Sequence, residues 1–77
     1  MSKKLRVDFG IRVKAFRKMR GYSQEDFAEN IGYARSYISR IERGKANPSL
    51  DAICILADAL SVHVSEFFPL QFSKEVI

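Results

Sequence analysis

The chain of 77 residues is long enough for one small domain, and a composition of 47% hydrophobic and 29% charged residues is that of a globular protein, not a disordered one. A single cysteine excludes an intramolecular disulfide, and without a signal peptide or a long apolar run we expect a cytoplasmic protein that does not span a membrane. The formal net charge is +4, and residues 1–45 hold twelve of the thirteen Lys and Arg but five of the nine acids. This distribution fits a face for a polyanionic partner and a soluble surface with clustered lysines about equally well.

Glycines and prolines divide the sequence into short segments, and apolar residues recur within them at helical spacing. A first helix is predicted over roughly 7–20. A second helix, roughly 24–30, begins after Ser23, which can cap it through its hydroxyl. A third helix, roughly 35–43, ends before Gly44. The sequence contains no hairpin signal or internal repeat, so the predicted class is all-α.

Two more helices complete the prediction. The fourth covers roughly 50–59 and begins after Ser49 as its cap. Its expected buried positions are Leu50, Ile53, Leu56, Ala57 and Leu60. Cys54, within the same helix, is expected to be a small core residue. The fifth helix is predicted at about 64–69, so that one domain over 1–77 has its core in 7–69 and a tail in 70–77.

The third helix carries two faces of contrasting chemistry. Because each residue turns about 100° around a helix axis, five polar side chains fall within about 140° of one another. These five, here called the arginine stripe, are Arg35, Ser36, Ser39, Arg40 and Arg43. Ile38 and Ile41 lie on the opposite side, with Tyr37 at the border. The stripe contains no carboxylate and no lysine, whereas a solvated face usually mixes both signs. Arginine suits bidentate contacts to phosphate or guanine, so the stripe favours DNA recognition.

The second and third helices, joined by a turn at Gly32 and with the small Ala28 between them, resemble a helix-turn-helix. Over residues 9–68 the chain resembles the phage-repressor and Cro-type helix-turn-helix regulators. The stretches that carry the resemblance are FGIRVKAFRKMRG, YSQEDFAENIG, RSYISRIERGKANPSL and LADALSVHVSEFF. The resemblance implies a compact bundle of five helices and a sequence-specific transcriptional regulator of double-stranded DNA. Small stand-alone regulators, such as the controller proteins of restriction–modification systems, are especially similar.

The same resemblance assigns roles to individual residues. The residues expected to read bases are Arg35, Ser36, Tyr37, Ser39 and Arg40. Those expected to bind phosphates are Gln24, Arg43, Lys45 and Asn47, with Lys45 included for its charge. A structural salt bridge is expected between Arg12 of the first helix and Glu42, which lies away from the centre of the arginine stripe.

The C-terminal third is more apolar than one small core requires, which predicts an interface. The alternative is a tail that folds back over its own core. A symmetric homodimer on a two-fold symmetric operator is the expected arrangement. Its predicted interface residues are Val64, Phe68, Leu70 and Phe72, while the resemblance implies that Phe67 is more internal.

Three positions depart from the family pattern at helix ends. Ala34 stands where a capping side chain is common, and Ser61 stands where glycine is common. His63 stands where a capping serine is common. These departures concern the stability of helix ends and leave the arginine stripe untouched.

Neither His63 nor Cys54 has partners at ligand spacing, so we expect no catalytic residues, no metal, no cofactor and no small-molecule ligand. Two alternatives to a sequence-specific regulator stay open. One is an interaction protein, such as an antitoxin-like partner or a scaffold, and the other is a nonspecific DNA coater. Arg35 and Arg40 argue against the first, and competition with scrambled duplex separates the second.

Overall fold

The structure, a computed structural model, describes residues 1–68, which form four α-helices and a short 3-10 turn. The helices are α1 (Lys3–Met19), α2 (Gln24–Ile31), α3 (Arg35–Glu42) and α4 (Leu50–Leu60), followed by a 3-10 turn at Val64–Phe67. None of the helices in this part of the chain is long and apolar enough to cross a membrane. The all-α class is confirmed over these residues.

The prediction of five helices was wrong in its last member. Val64–Phe67 is a single turn with 3-10 geometry, a form that proteins use in short pieces because its hydrogen bonds are poorer than those of an α-helix. It begins at His63, whose Nδ1 accepts a long hydrogen bond of 3.4 Å from the Ser65 amide. The predicted tail 70–77 lies outside the described residues.

The core draws on every element. Its largest fully buried side chains are Phe9, Phe27, Phe67, Ile38, Ile41, Leu56, Leu60 and Val13. Phe67 packs edge-on against Phe9, with ring centroids 5.0 Å apart, and also contacts Phe16 of α1 at 6.1 Å. The 3-10 turn is therefore attached to α1 by aromatic packing, and the internal position expected for Phe67 is confirmed.

Two residues of α4 that the sequence predicted to be buried are exposed. Leu50 is 80% exposed and Cys54 is exposed, whereas both were predicted to be buried. The buried face of α4 is centred between Leu56 and Ala57, and Cys54 lies about 110° around the helix from that centre. Leu50 lies about 70° from it and is the first residue of the helix.

Gly10 lies inside α1 at a point where α1 crosses the end of α3 very closely. A Cβ atom placed on it would lie 2.9 Å from the carbonyl oxygen of Glu42 and closer still to that of Ile41. Both obstacles are backbone atoms, which cannot turn aside as a flexible side chain does. The absence of a side chain at Gly10 thus sets the distance between α1 and α3.

We expect Gly10→Ala to destabilise the protein by about 1–3 kcal/mol, the usual cost of forcing an extra group into a packed interior. The sign of the stability change distinguishes a close crossing from an open site, because the same substitution in an exposed helix interior stabilises a protein by about 0.5–1 kcal/mol. Chemical denaturation of the two proteins measures the difference. A Gly10→Ala protein as stable as the parent would contradict the close crossing.

Each α-helix is followed within two residues by a residue in the left-handed conformation, and backbone amides there donate back to the last turn. After α3, Gly44 has a φ of 72° and donates to the Ile41 carbonyl at 3.0 Å, while the Lys45 amide donates to the Arg40 carbonyl at 2.8 Å. After α4 the same position is held by Ser61, with a φ of 57°. Ser61, which stands where glycine is common, therefore adopts a left-handed conformation, which a residue with a Cβ atom adopts less readily than glycine.

Candidate nucleic-acid interface

Helices α2 and α3 form a helix-turn-helix unit around a short turn. Gly32 has a φ of 78° and reverses the chain, and the Tyr33 amide donates to the Ala28 carbonyl at 3.0 Å. Phe27 and Ala28 of α2 are buried in the same cluster as Ile38 of α3. The two helices thus share their apolar faces, which leaves the opposite face of α3 outside the core.

The arginine stripe lies on that outer face. Arg35, Ser36, Arg40 and Arg43 are exposed, and Ser39 is partly buried. The outward placement predicted from helical periodicity is confirmed, whereas a role in reading bases stays a prediction. Glu42 is buried on the other side of α3, so α3 presents no carboxylate together with the three guanidinium groups.

Tyr37 lies at the border of the stripe, as predicted, and is partly buried. Its ring meets that of Tyr33 at 89° with centroids 5.3 Å apart, and the Arg40 guanidinium carbon lies 5.6 Å from the Tyr37 ring centroid. Burial raises the pKa of the Tyr37 phenol, Tyr33 adds to the rise, and Arg40 opposes it. The hydroxyl is therefore neutral at physiological pH and can donate a hydrogen bond to an acceptor on DNA.

A buried ion pair ties α1 to the end of α3. Arg17 Nε donates to Glu42 Oε2 at 2.7 Å, and Arg17 Nη2 donates to Glu42 Oε1 at 3.0 Å. Arg17 Nη1 donates in addition to the Tyr22 carbonyl at 2.7 Å. The pair is bidentate and extensively hydrogen-bonded, which is the condition under which a buried pair is tolerated.

The predicted partner of Glu42 was therefore wrong, although a tie between α1 and α3 does exist. Arg12 is exposed, and its Nη1 donates to the Glu66 carbonyl at 3.2 Å. Arg12 and Arg17 are five residues apart, which places them about 140° apart around the helix. Arg17 follows the buried Val13 by one helical turn and so points into the core. That periodicity was visible in the sequence and identifies Arg17.

Gln24 opens α2 and belongs to the same network. Its Nε2 donates to Glu42 Oε1 at 3.0 Å, so the side chain is held in place by the buried carboxylate. A side-chain amide nitrogen carries two N–H donors, and the second can reach an oxygen of a phosphate. The contact between Gln24 and phosphate stays a prediction. The capping role of Ser23 is confirmed, since its hydroxyl accepts from the Asp26 amide at 3.0 Å.

The other predicted phosphate contacts follow the arginine stripe in the chain. Arg43, Lys45 and Asn47 are all exposed. Arg43 Nε reaches back to the Ser39 carbonyl at 3.4 Å. Asn47 Oδ1 accepts from the ammonium of Met1 at 3.1 Å, which leaves its amide N–H groups as donors. Their roles at phosphates stay predictions.

The first turn of α3 has no side-chain cap. Ala34 adopts the extended conformation of a cap residue, with φ −69° and ψ 141°, but has no hydroxyl to accept from the first amides of the helix. Ser49 performs this task for α4, where its hydroxyl accepts from the Ala52 amide at 3.1 Å. The predicted absence of a cap on α3 is confirmed.

We expect Ala34→Ser to stabilise the protein by about 1 kcal/mol, because the backbone already has the geometry in which a serine hydroxyl caps. Removal of the existing cap by Ser49→Ala provides the matched control and should destabilise by a similar amount. Thermal unfolding followed by circular dichroism measures both. An Ala34→Ser protein no more stable than the parent would contradict the expected gain.

The comparisons with known proteins agree with this geometry. A sequence model of the helix-turn-helix family matches residues 13–67. The chain is 43% identical over 61 residues to the uncharacterised HTH-type transcriptional regulator YazB of Bacillus subtilis, a match that covers 79% of this chain and 88% of YazB.

Two solved structures are similar in sequence and in fold. The restriction-modification controller protein C.AhdI of Aeromonas hydrophila is 43% identical with a TM-score of 0.77, over 82% of this chain and 96% of C.AhdI. The controller protein C.Esp1396I, crystallised as a tetramer with its natural 35 base-pair operator, is 27% identical with a TM-score of 0.74, over 95% of this chain and 96% of that protein.

Proposed function

Because the chain belongs to the helix-turn-helix family of transcriptional regulators, we propose that it binds duplex DNA in the cytoplasm as a homodimer on a two-fold symmetric operator. The observation that carries the proposal is the arginine stripe, in which three guanidinium groups and two hydroxyls lie together on the outer face of α3. The similarity to C.AhdI and C.Esp1396I supports the narrower proposal of a restriction–modification controller protein. Activation or repression then depends on where the operator lies relative to the promoter.

In the proposed complex, α3 enters the major groove and the start of the arginine stripe faces the base edges. Arg35 and Arg40 make bidentate contacts to guanine, the most common specific contact of arginine in the major groove. Single hydrogen bonds to the base edges come from the hydroxyl groups of Ser36, Ser39 and the neutral Tyr37. The contacts that position the protein on phosphates come from Gln24, Arg43, Lys45 and Asn47.

The proposal is tested by selection of binding sites from random duplexes with the purified protein, followed by competition against scrambled duplex. A regulator of this kind yields an inverted repeat and binds it about 10³-fold or more tightly than scrambled DNA. Equal binding to both duplexes would indicate a nonspecific coater. No binding to either would indicate an interaction protein that uses the same fold.

The proposed dimer uses the C-terminal apolar residues. Val64 and Phe68 are only partly buried, and Phe68 stacks on Phe9 with centroids 5.8 Å apart, so it continues the core toward the surface. The other two proposed interface residues, Leu70 and Phe72, lie outside the described residues. Two subunits related by a two-fold axis place their α3 helices about 34 Å apart, which is one turn of DNA.

We expect Leu70→Glu to convert the dimer to a monomer and to weaken operator binding strongly, because a charge at an apolar interface is costly and the second α3 is lost. Sedimentation velocity reports the association, and circular dichroism reports the helix content, which should not change. Met19→Glu, a charge on a residue of α1 that is 69% exposed, is the matched control. Tight operator binding by a Leu70→Glu monomer would contradict the proposed dimer, as would a monomeric parent protein at tens of micromolar.

A further inference from the structure

Tyr33 lies in the turn between α2 and α3, outside the arginine stripe. Its backbone is fixed, because its amide donates to the Ala28 carbonyl at 3.0 Å as part of the α2 end. Its side chain is partly buried, and its ring meets the Tyr37 ring edge to face, with centroids 5.3 Å apart and planes at 89°. The turn of the helix-turn-helix unit thus delivers an aromatic ring directly against the first turn of α3.

Tyr37 in turn contacts the arginine stripe. The Arg40 guanidinium carbon is 5.6 Å from the Tyr37 ring centroid, within the range of a cation–π interaction. Arg40 is exposed, and a long exposed arginine loses much rotamer freedom when it adopts a single geometry. A ring that holds the guanidinium in the free protein reduces that loss on binding.

We propose that Tyr33 is a positioning residue for base recognition, which holds the Tyr37 ring in place so that Tyr37 can hold the Arg40 guanidinium on the outer face of α3. The inference rests on the proposed function, since it assigns the base contact to Arg40. Tyr33 itself need not touch DNA. Its effect passes through two ring contacts that both depend on aromatic shape, so phenylalanine can replace it and an aliphatic side chain cannot.

The first test uses the free protein and does not depend on DNA. Relaxation of the Arg40 Nε–H group by NMR reports how rigidly the guanidinium is held. We expect the parent and Tyr33→Phe to show the same restricted motion, and Tyr33→Leu to show greater motion. Tyr33→Met removes the ring in a second way and is used if Tyr33→Leu does not fold. Unchanged Arg40 motion in a folded variant without the ring would overturn the proposal.

The second test measures base discrimination on the selected operator and on duplexes with one base pair changed. Tyr33→Leu should lower discrimination about threefold to tenfold at the base pair that Arg40 reads, while Tyr33→Phe should not. Tyr22→Leu is the matched control, because Tyr22 is also partly buried and packs on an aromatic ring, that of Phe27, at 5.5 Å. It should leave discrimination unchanged.

A double-mutant cycle separates positioning from general loss of structure. In the Arg40→Ala background, Tyr33→Leu should cause no further loss of discrimination at that base pair. If Tyr33→Leu lowered discrimination in the Arg40→Ala background as much as in the parent, Tyr33 would act by a route other than Arg40, which would overturn the proposal. A parent protein that prefers no duplex would instead contradict the proposed function, and the NMR result on the free protein would still decide the role of Tyr33.

Discussion

Glu42→Ala is expected to lower the free energy of unfolding by about 3–5 kcal/mol, the range measured when one partner of a buried ion pair is removed. Glu42 is 8% exposed, and it accepts from Arg17 twice and from Gln24 once. Its removal leaves the Arg17 guanidinium buried with a charge that no carboxylate balances. For a domain whose total stability is about 5–15 kcal/mol, this is a large fraction, and thermal and urea unfolding measure it.

Three comparisons sharpen this test. Lys4 is exposed and pairs with the partly buried Asp8 at 3.1 Å, so Lys4→Ala should cost about 0–1 kcal/mol. The double variant Arg17→Met, Glu42→Leu removes both charges together and should recover most of the loss. Arg12→Ala should be nearly neutral, since Arg12 is exposed. A larger effect from Arg12→Ala than from Arg17→Ala would show that the buried pair is misassigned.

Arg35→Ala and Arg40→Ala are each expected to cost about 1–3 kcal/mol of operator affinity and to relax the preference at particular base pairs. The reason is the loss of a bidentate contact that only one base pair satisfies fully. The measurement compares binding of each variant to the selected operator and to a set of single base-pair changes. The base pair at which discrimination disappears identifies what each arginine reads.

Lys45→Ala provides the contrast, because Lys45 is exposed in the loop after α3 and is proposed to meet a phosphate. Its loss should weaken binding to all duplexes about equally and reduce the slope of log affinity against log salt concentration by about 1. If Arg35→Ala behaved in this same uniform way, Arg35 would be a backbone contact and the assignment of base reading to it would fail.

The features that sequence predicted well are those set by neighbours along the chain. The positions of α2, α3 and α4, the caps at Ser23 and Ser49, and the outward placement of the arginine stripe all follow from local spacing and local hydrogen bonds. The left-handed Ser61 belongs to this group as well. The caps depend on hydrogen bonds within one turn, and the placement of the stripe depends on the repeat of 3.6 residues, which a helix keeps whatever it packs against. The predicted start of the first helix at residue 7 was wrong, because α1 begins at Lys3, where the Ser2 hydroxyl caps it.

The features that sequence missed depend on which surfaces meet in three dimensions. Resemblance implied an arginine in α1 as the partner of Glu42 without deciding which one. The spacing from the buried Val13 indicates Arg17, but the ion pair itself forms only where α1 packs against α3. Gly10 was assigned no role, because a close crossing with α3 leaves no local signal. The exposure of Cys54 likewise reflects which side of α4 the rest of the chain covers.

The missing cap on α3 has a consequence for how the folded chain opens. An isolated helix of eight residues is not stable in water, and α3 also lacks the side chain that would secure its first turn. Its helical form therefore depends on the docking of Ile38 and Ile41, both fully buried, against the other helices. A fluctuation that detaches α3 from the other helices would melt α3 at once, so partly open forms that keep a working recognition helix should be scarce. Amide hydrogens in the second half of α3 should accordingly exchange with solvent through the same opening as the core of α1.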